Sequence, residues 1–342
     1  MATTPEFDAF GPWIYEVRTA DEVPPLYRAH PIDLEAARMV LKVPRPIERR
    51  NATPTMHLYD HLLVAGLDEL TVLSREGDTF GVRSVPYRRI GAAQLSVSLL
   101  DGRLRLADAT PGSGGELLAL AFNGVSLGTV EGLVDLLLEQ ALVHAGVVGN
   151  HEVGPAGPEG AVGPVGTSTG TAHTGTAHTG TAPTETVPSV GGTPAPSGRW
   201  SLGGPDVALI VAYRELAERH PELVRLADHA RVPVQRAAMS WVARMLDRWW
   251  PVTLHAAVVA AAPGRVEVLH RRELFSVGGK PVHSIARTTL LTSAVTALTL
   301  TPHPAYAGAL DCRVSVGDAV VRLALPEGAP TVRALRDALA AG

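Results

Sequence analysis

The hydrophobic positions along this chain change period, and they do so twice in the same order. His61-Leu-Leu-Val-Ala-Gly66 is a short apolar run stopped by a glycine, the pattern of a strand entering a turn. Glu69–Arg75 alternates through Leu70 and Val72, and Phe80–Tyr87 alternates through Val82 and Val85. Period two predicts half-buried strands. Ile90–Leu100 continues the alternation, and Asp101-Gly102 reads as a hairpin turn because glycine tolerates positive φ. Arg103–Leu106 and Leu117–Phe122 complete an antiparallel meander. From Thr129 to Ala145 the positions Val130, Leu133, Val134, Leu137, Leu138, Ala141 and Leu142 recur every three or four residues. That spacing predicts an amphipathic helix, stopped at Gly146. A single apolar stripe is buried only against another layer, so the helix is expected to close a small β-barrel.

The second half repeats the succession. Val252–Ala260 and Arg265–His270 read as a hairpin around Pro263-Gly264. Leu290–Leu300 reads as a long strand, Leu310–Val316 and Ala319–Leu325 flank Gly317-Asp318, and Thr331–Ala341 reads as a closing helix. Pro281-Val-His-Ser-Ile285 takes the place of Pro86-Tyr-Arg-Arg-Ile90, so the order predicts an internal duplication. Antiparallel strands followed by one helix, with Leu70–Arg75 and Ser84-Val-Pro-Tyr-Arg-Arg-Ile90 as the carrying residues, resemble the bacterial pleckstrin-homology-like domains. The resemblance implies an α+β fold of two barrel or sandwich modules, each closed by its C-terminal helix, and a binding rather than catalytic role.

Five segments result. Residues 1–59 form an extended arm with a short helix over Leu34–Lys42, capped by Asp33. Residues 60–149 form the first module. Residues 150–198 collapse to Gly, Pro, Thr and Ala with a Thr-Gly-Thr-Ala-His repeat, which is expected to be a disordered linker. Residues 199–250 are read as helical, over Pro205–Arg219, Pro221–Leu226 and Val234–Trp250, and residues 251–342 form the second module.

Composition narrows the chemistry. The lone cysteine, Cys312, excludes an internal disulfide and a cysteine-based zinc site. The first residues lack a basic start and an apolar core, and no run reaches the length of a membrane span, so a cytoplasmic protein is expected. No Gly-x-Ser-x-Gly, phosphate loop or His-Glu-x-x-His is present, so neither a catalytic residue nor a cofactor is expected. His57, Asp60 and His61 offer a metal only on a helix; extended, the histidines lie about 13 Å apart.

Charge divides the chain: residues 1–150 hold 13 Lys/Arg against 19 Asp/Glu, and residues 199–342 hold 17 against 12. The second half therefore suits an acidic partner, although nucleic acid would need a more basic face. The leading expectation is a protein- or peptide-binding scaffold. The alternative is a peripheral membrane protein reading anionic lipid. Trp241, Trp249, Trp250, Arg265, Arg271, Arg272 and Lys280 are the contacts expected for either partner.

Overall fold

The structure, a computed structural model, describes residues 7–8, 10–147, 198–237, 251–277 and 282–341. Strands in the first half are β1 (Tyr15–Glu16), β2 (Met39–Pro44), β3 (Tyr59–Ala65), β4 (Glu69–Glu76), β5 (Thr79–Pro86), β6 (Ile90–Ser98), β7 (Asp101–Asp108) and β8 (Glu116–Asn123), followed by helix α1 (Leu127–His144). After helix α2 (Val207–Arg219) come β9 (Val224–His229), β10 (Val232–Arg236), β11 (Val252–Leu254), β12 (Ala257–Ala262), β13 (Arg265–His270) and β14 (Phe275–Val277). The chain ends with β15 (Ser284–Leu291), β16 (Val295–Pro302), β17 (Tyr306–Ala307), β18 (Ala309–Val316), β19 (Ala319–Pro326) and helix α3 (Pro330–Ala340).

The class is α+β, with antiparallel sheets dominating. Among the described residues four sheets form, ordered β1-β2-β3-β4-β5, β14-β11-β10-β17, β8-β7-β6-β15-β13-β12-β9 and β16-β18-β19. None of them closes into a barrel among the described residues, which corrects the expected closed module. The seven-stranded sheet is built from both halves. Its β6 and β15 pair antiparallel from Ser98↔Ser284 to Ala92↔Leu290. Residues 1–149 and 196–342 accordingly make one compact unit.

Two main cores lie on opposite sides of this sheet. On one side α1 lays Val130, Leu133, Val134, Leu137 and Leu138 against Leu95, Leu104, Leu106 and Leu120, with Leu63, Leu70 and Val72 of the five-stranded sheet completing the cluster. On the other, Val259, Val266, Val268 and Leu290 meet Cys312, Val314, Val321 and Leu323, closed by Val332 and Leu335 of α3. Both helices pack on open sheets instead of closing barrels.

Several local expectations change. Leu34–Lys42 is not a helix. Asp33 caps a single turn through Glu35 and Ala36, and Met39–Pro44 becomes β2 because its Val-Leu-Lys-Val run pairs with β3. The arm therefore donates β1 and β2 to a sheet. Pro221–Leu226 is not helical either, since Val224–His229 pairs with β12. Val234–Arg236 belongs to strand β10, so the helix expected over Val234–Trp250 does not start there. Most of that stretch, with Trp241, Trp249 and Trp250, lies outside the described residues, as do Lys280 and the linker expected over 150–198 up to its last residue. The Leu290–Leu300 run is split by a 3-10 turn at Thr292–Ala294. Val252–Ala260 breaks at His255-Ala256 into strands of two different sheets.

The β6–β7 turn also moves. Ser98 pairs with Asp101, so Leu99-Leu100 make the turn, with Leu99 at φ 53°. Gly102 serves packing instead: a Cβ there would stand 2.5 Å from the Phe122 ring. Gly102→Ala is expected to lower stability by about 1–3 kcal/mol through displacement of that ring. Urea unfolding would measure it, and an unchanged midpoint would refute the packing role.

Candidate protein-binding surface

Alternation on β7 puts Leu104 and Leu106 into the core and sends Arg103 and Arg105 outward. The neighbouring outward positions on β6 are Gln94 and Ser96. Because β6 pairs with β15, this polar face runs on to Ala286 and Thr288, and His270 of β13 stands opposite Ala286. Beyond β13 the face is covered by β18 and β19, and Arg322 of β19 points away from that core. The result is a cleft of about 230 Å³ lined by Gln94, Ser96, Arg103, Arg105, His270, Arg272, Thr288 and Arg322.

Its lining carries arginines and no carboxylate, with Asp101 and Glu116 at its border. Arg272 donates to the backbone oxygen of Asp101 at 3.0 Å and pairs with its carboxylate at 3.0 Å. Arg103 reaches the same carboxylate at 3.3 Å, and Arg105 lies 3.9 Å from Glu116. No ion pair involves Arg322 among the described residues. The floor is neutral: His270 donates from Nδ1 to the carbonyl of Arg271 at 2.7 Å and accepts the Thr288 hydroxyl at Nε2, 3.0 Å away. Burial pushes the His270 imidazole below its ordinary pKa and keeps it uncharged. Such a cleft offers fork-shaped donors to carboxylates or phosphates.

Most residues singled out from sequence fall elsewhere. Arg265 is buried, bonded to Glu222 at 2.9 Å, and Arg271 is buried, donating to the carbonyls of Ser284 and Pro205. Neither is a surface contact, because each satisfies internal acceptors. Arg272 does reach the cleft. His61 bonds to Ser74 within the β3–β4 pair, and Asp60 pairs with Arg75 at 2.8 Å, while His57 lies outside any strand or helix. No group of potential metal ligands forms among the described residues. No helix among them is long and apolar enough to cross a membrane. Sequence alone does not single out Arg103, Arg105 and Arg322; period two marks them as outward, but only the β6–β15 pairing brings them to Arg272.

Beneath the opposite face lies a buried ionic cluster that fixes the two halves. Glu267, fully buried, accepts from Arg287 Nε at 3.1 Å, Arg287 Nη2 at 2.9 Å and the Thr289 hydroxyl at 2.7 Å. Arg287 continues to Asp135 of α1 at 2.6 Å, and Asp135 also meets Arg219 at 3.1 Å. Burial works to raise the Asp135 pKa, but His220 and Arg287 outweigh it and hold the carboxyl well below its usual range. Removing one member of such a cluster strands its partner's charge, so Glu267→Ala is expected to cost about 3–5 kcal/mol.

His255 is buried with neither ring nitrogen bonded, and His229 bonds to Thr331 and to the backbone of His255. Burial pushes both down to about 4. The unfolded chain therefore takes up protons below about pH 6.5 that the fold refuses, and stability drops as pH falls from there toward 4. Melting curves across that range are expected to show this drop, and His255→Leu to shrink it; a flat profile would refute the assignment. No protein-family model matches the chain, and no curated protein or solved structure matches it.

Proposed function

We propose that this chain is a non-enzymatic scaffold that binds an acidic segment of a protein partner in the cleft across β6, β7 and β15. The observation carrying the reading is the convergence of Arg103, Arg105, Arg272 and Arg322 on one cleft that holds few carboxylates. The sheet face left open beside β18 and β19 supplies the floor of the cleft, and arginine forks supply orientation.

The two pleckstrin-homology-like modules belong to the same proposal. Support comes from the order of elements: β5, a 3-10 turn at Tyr87–Arg89, and β6–β8 with α1 are matched by β15, the turn at Thr292–Ala294, and β16, β18, β19 with α3. On this reading Leu291–Val295, rather than Pro281–Ile285, corresponds to Pro86–Ile90. The alternative, anionic lipid read by the second half, keeps Arg272 but loses Arg265 and Arg271 to the interior. Localisation in the cytoplasm is part of the same reading.

The test uses the full chain and a fluorescent peptide rich in Asp and Glu, with an Asn/Gln version as control. Arg103→Glu combined with Arg105→Glu and Arg322→Glu is expected to weaken acidic-peptide binding roughly tenfold or more, and raised salt to weaken it as well. Equal binding of both peptides, or unchanged affinity after charge reversal with an intact fold, would sink the proposal. Anionic vesicles bound by the full chain in a charge-reversal-sensitive way would favour the lipid alternative.

A further inference from the structure

The pairing that fuses the two halves uses one edge from each, and leaves the equivalent edge of each unused among the described residues. Thr79–Pro86, Tyr87–Arg89 and Ile90 recur at one constant spacing as Ser284–Leu291, Thr292–Ala294 and Val295. The backbone agrees at both ends of the turn: Pro86 (φ −60°, ψ 133°) matches Leu291 (φ −78°, ψ 120°), and Ile90 (φ −74°, ψ 117°) matches Val295 (φ −77°, ψ 120°). Both following strands carry a register irregularity at the same place, between Ile90 and Ala92 and between Val295 and Ala297. So β15 is the counterpart of β5, and β16 is the counterpart of β6.

Within the chain, β6 pairs with β15. The counterpart strands β16 and β5 each stand at the edge of their sheet. The contact is head-to-tail, and a head-to-tail contact does not consume its own surfaces: it continues into a ring or an open array. We infer that the β16 edge of one chain receives β5 of a second copy, repeating between molecules the β6–β15 junction found within each.

Three features point to this occupant. First, β16 reads Val-Thr-Ala-Leu-Thr-Leu-Thr-Pro, without a charged side chain. Natural edge strands are normally blunted by charge, and this one is blunted only by its terminal proline. Its core-side Leu298 and Leu300 stay half exposed, whereas the counterparts Ala93 and Leu95 are buried beside β15.

Second, β5 presents an apolar side chain where the internal junction has Arg287: the counterpart position holds Val82, 50% exposed in the single chain, a surface that a neighbouring copy would cover. Third, the half bearing β5 carries excess acid and the half bearing β16 excess base, by the counts 13 against 19 and 17 against 12. Head-to-tail stacking alternates these charges.

Transferring the register of the β6–β15 pair sets Arg83 opposite Thr299, Gly81 opposite Thr301 and Val85 opposite Ala297. The full-length chain is tested with two single substitutions, Arg83→Cys and Thr299→Cys, mixed in equal amounts and oxidised. Cys312 is buried and does not compete. A disulfide-linked heterodimer is expected in at least fivefold excess over either homodimer. Arg83→Cys mixed with Thr296→Cys, off register, is expected to give no such excess. Light scattering on the unmodified chain is expected to show mass rising with concentration above 35.9 kDa, and Val82→Glu, at an exposed position, to return it to that value. A statistical mixture of dimers, equal yield off register, or association indifferent to Val82→Glu would each overturn the inference.

Discussion

The antiparallel pairing of β6 with β15 is the constraint on which the rest of the molecule depends. It joins three strands of the first half to four of the second in one sheet. Register in such a pair sets the face of every side chain, since a slip of one residue along β15 would turn Arg287 and Thr289 away from α1 and bring Thr288 and Leu290 beneath it. It also dictates which groups meet beneath the helices. Arg287 reaches both Glu267 on its own sheet and Asp135 on α1 only because β15 lies directly beside β6.

That ionic cluster stands inside an otherwise aliphatic layer. Its desolvation cost is offset by bidentate bonding, a hydroxyl donor from Thr289 and a second carboxylate, so every charge has a partner. Such a cluster favours one docking of the halves over others, because a misplaced Arg287 would bury an unpaired cation. The glycine contacts act to the same end. Gly91 admits Val316 and Ala294 against β6, and Gly114 donates to the Asp318 carboxylate at 3.1 Å, locking the β7–β8 loop on the β18–β19 turn. Rigidity at this seam is what would hold a recognition cleft in one shape.

Helix identity and the outer strands of the first half were legible because those segments are two-faced: β7 alternates, β8 alternates from Leu118, and α1 carries one stripe. Errors fall where local pattern and pairing disagree. Asp33 signals a helix start and does cap a turn, but the β-branched run after it gains more from β3 than from continuing the helix. Asp101-Gly102 carries turn composition, yet the glycine is required by the Phe122 ring and the turn slides to Leu99-Leu100. Arg265 and Arg271 look like solvated strand arginines in one dimension. Their internal acceptors, Glu222, Ser284, Pro205 and Asp206, come from remote segments.

By itself, then, the sequence determined the α+β class of the protein, because periodicity is a local consequence of which side chains need burial. The tertiary structure alone decided that the two halves share a sheet, that no barrel closes among the described residues, and that Arg103, Arg105, Arg272 and Arg322 surround one cleft. Those outcomes rest on pairing between residues almost two hundred positions apart, such as Ser98 with Ser284. Nothing in the alternation of a single strand records which distant edge it will join.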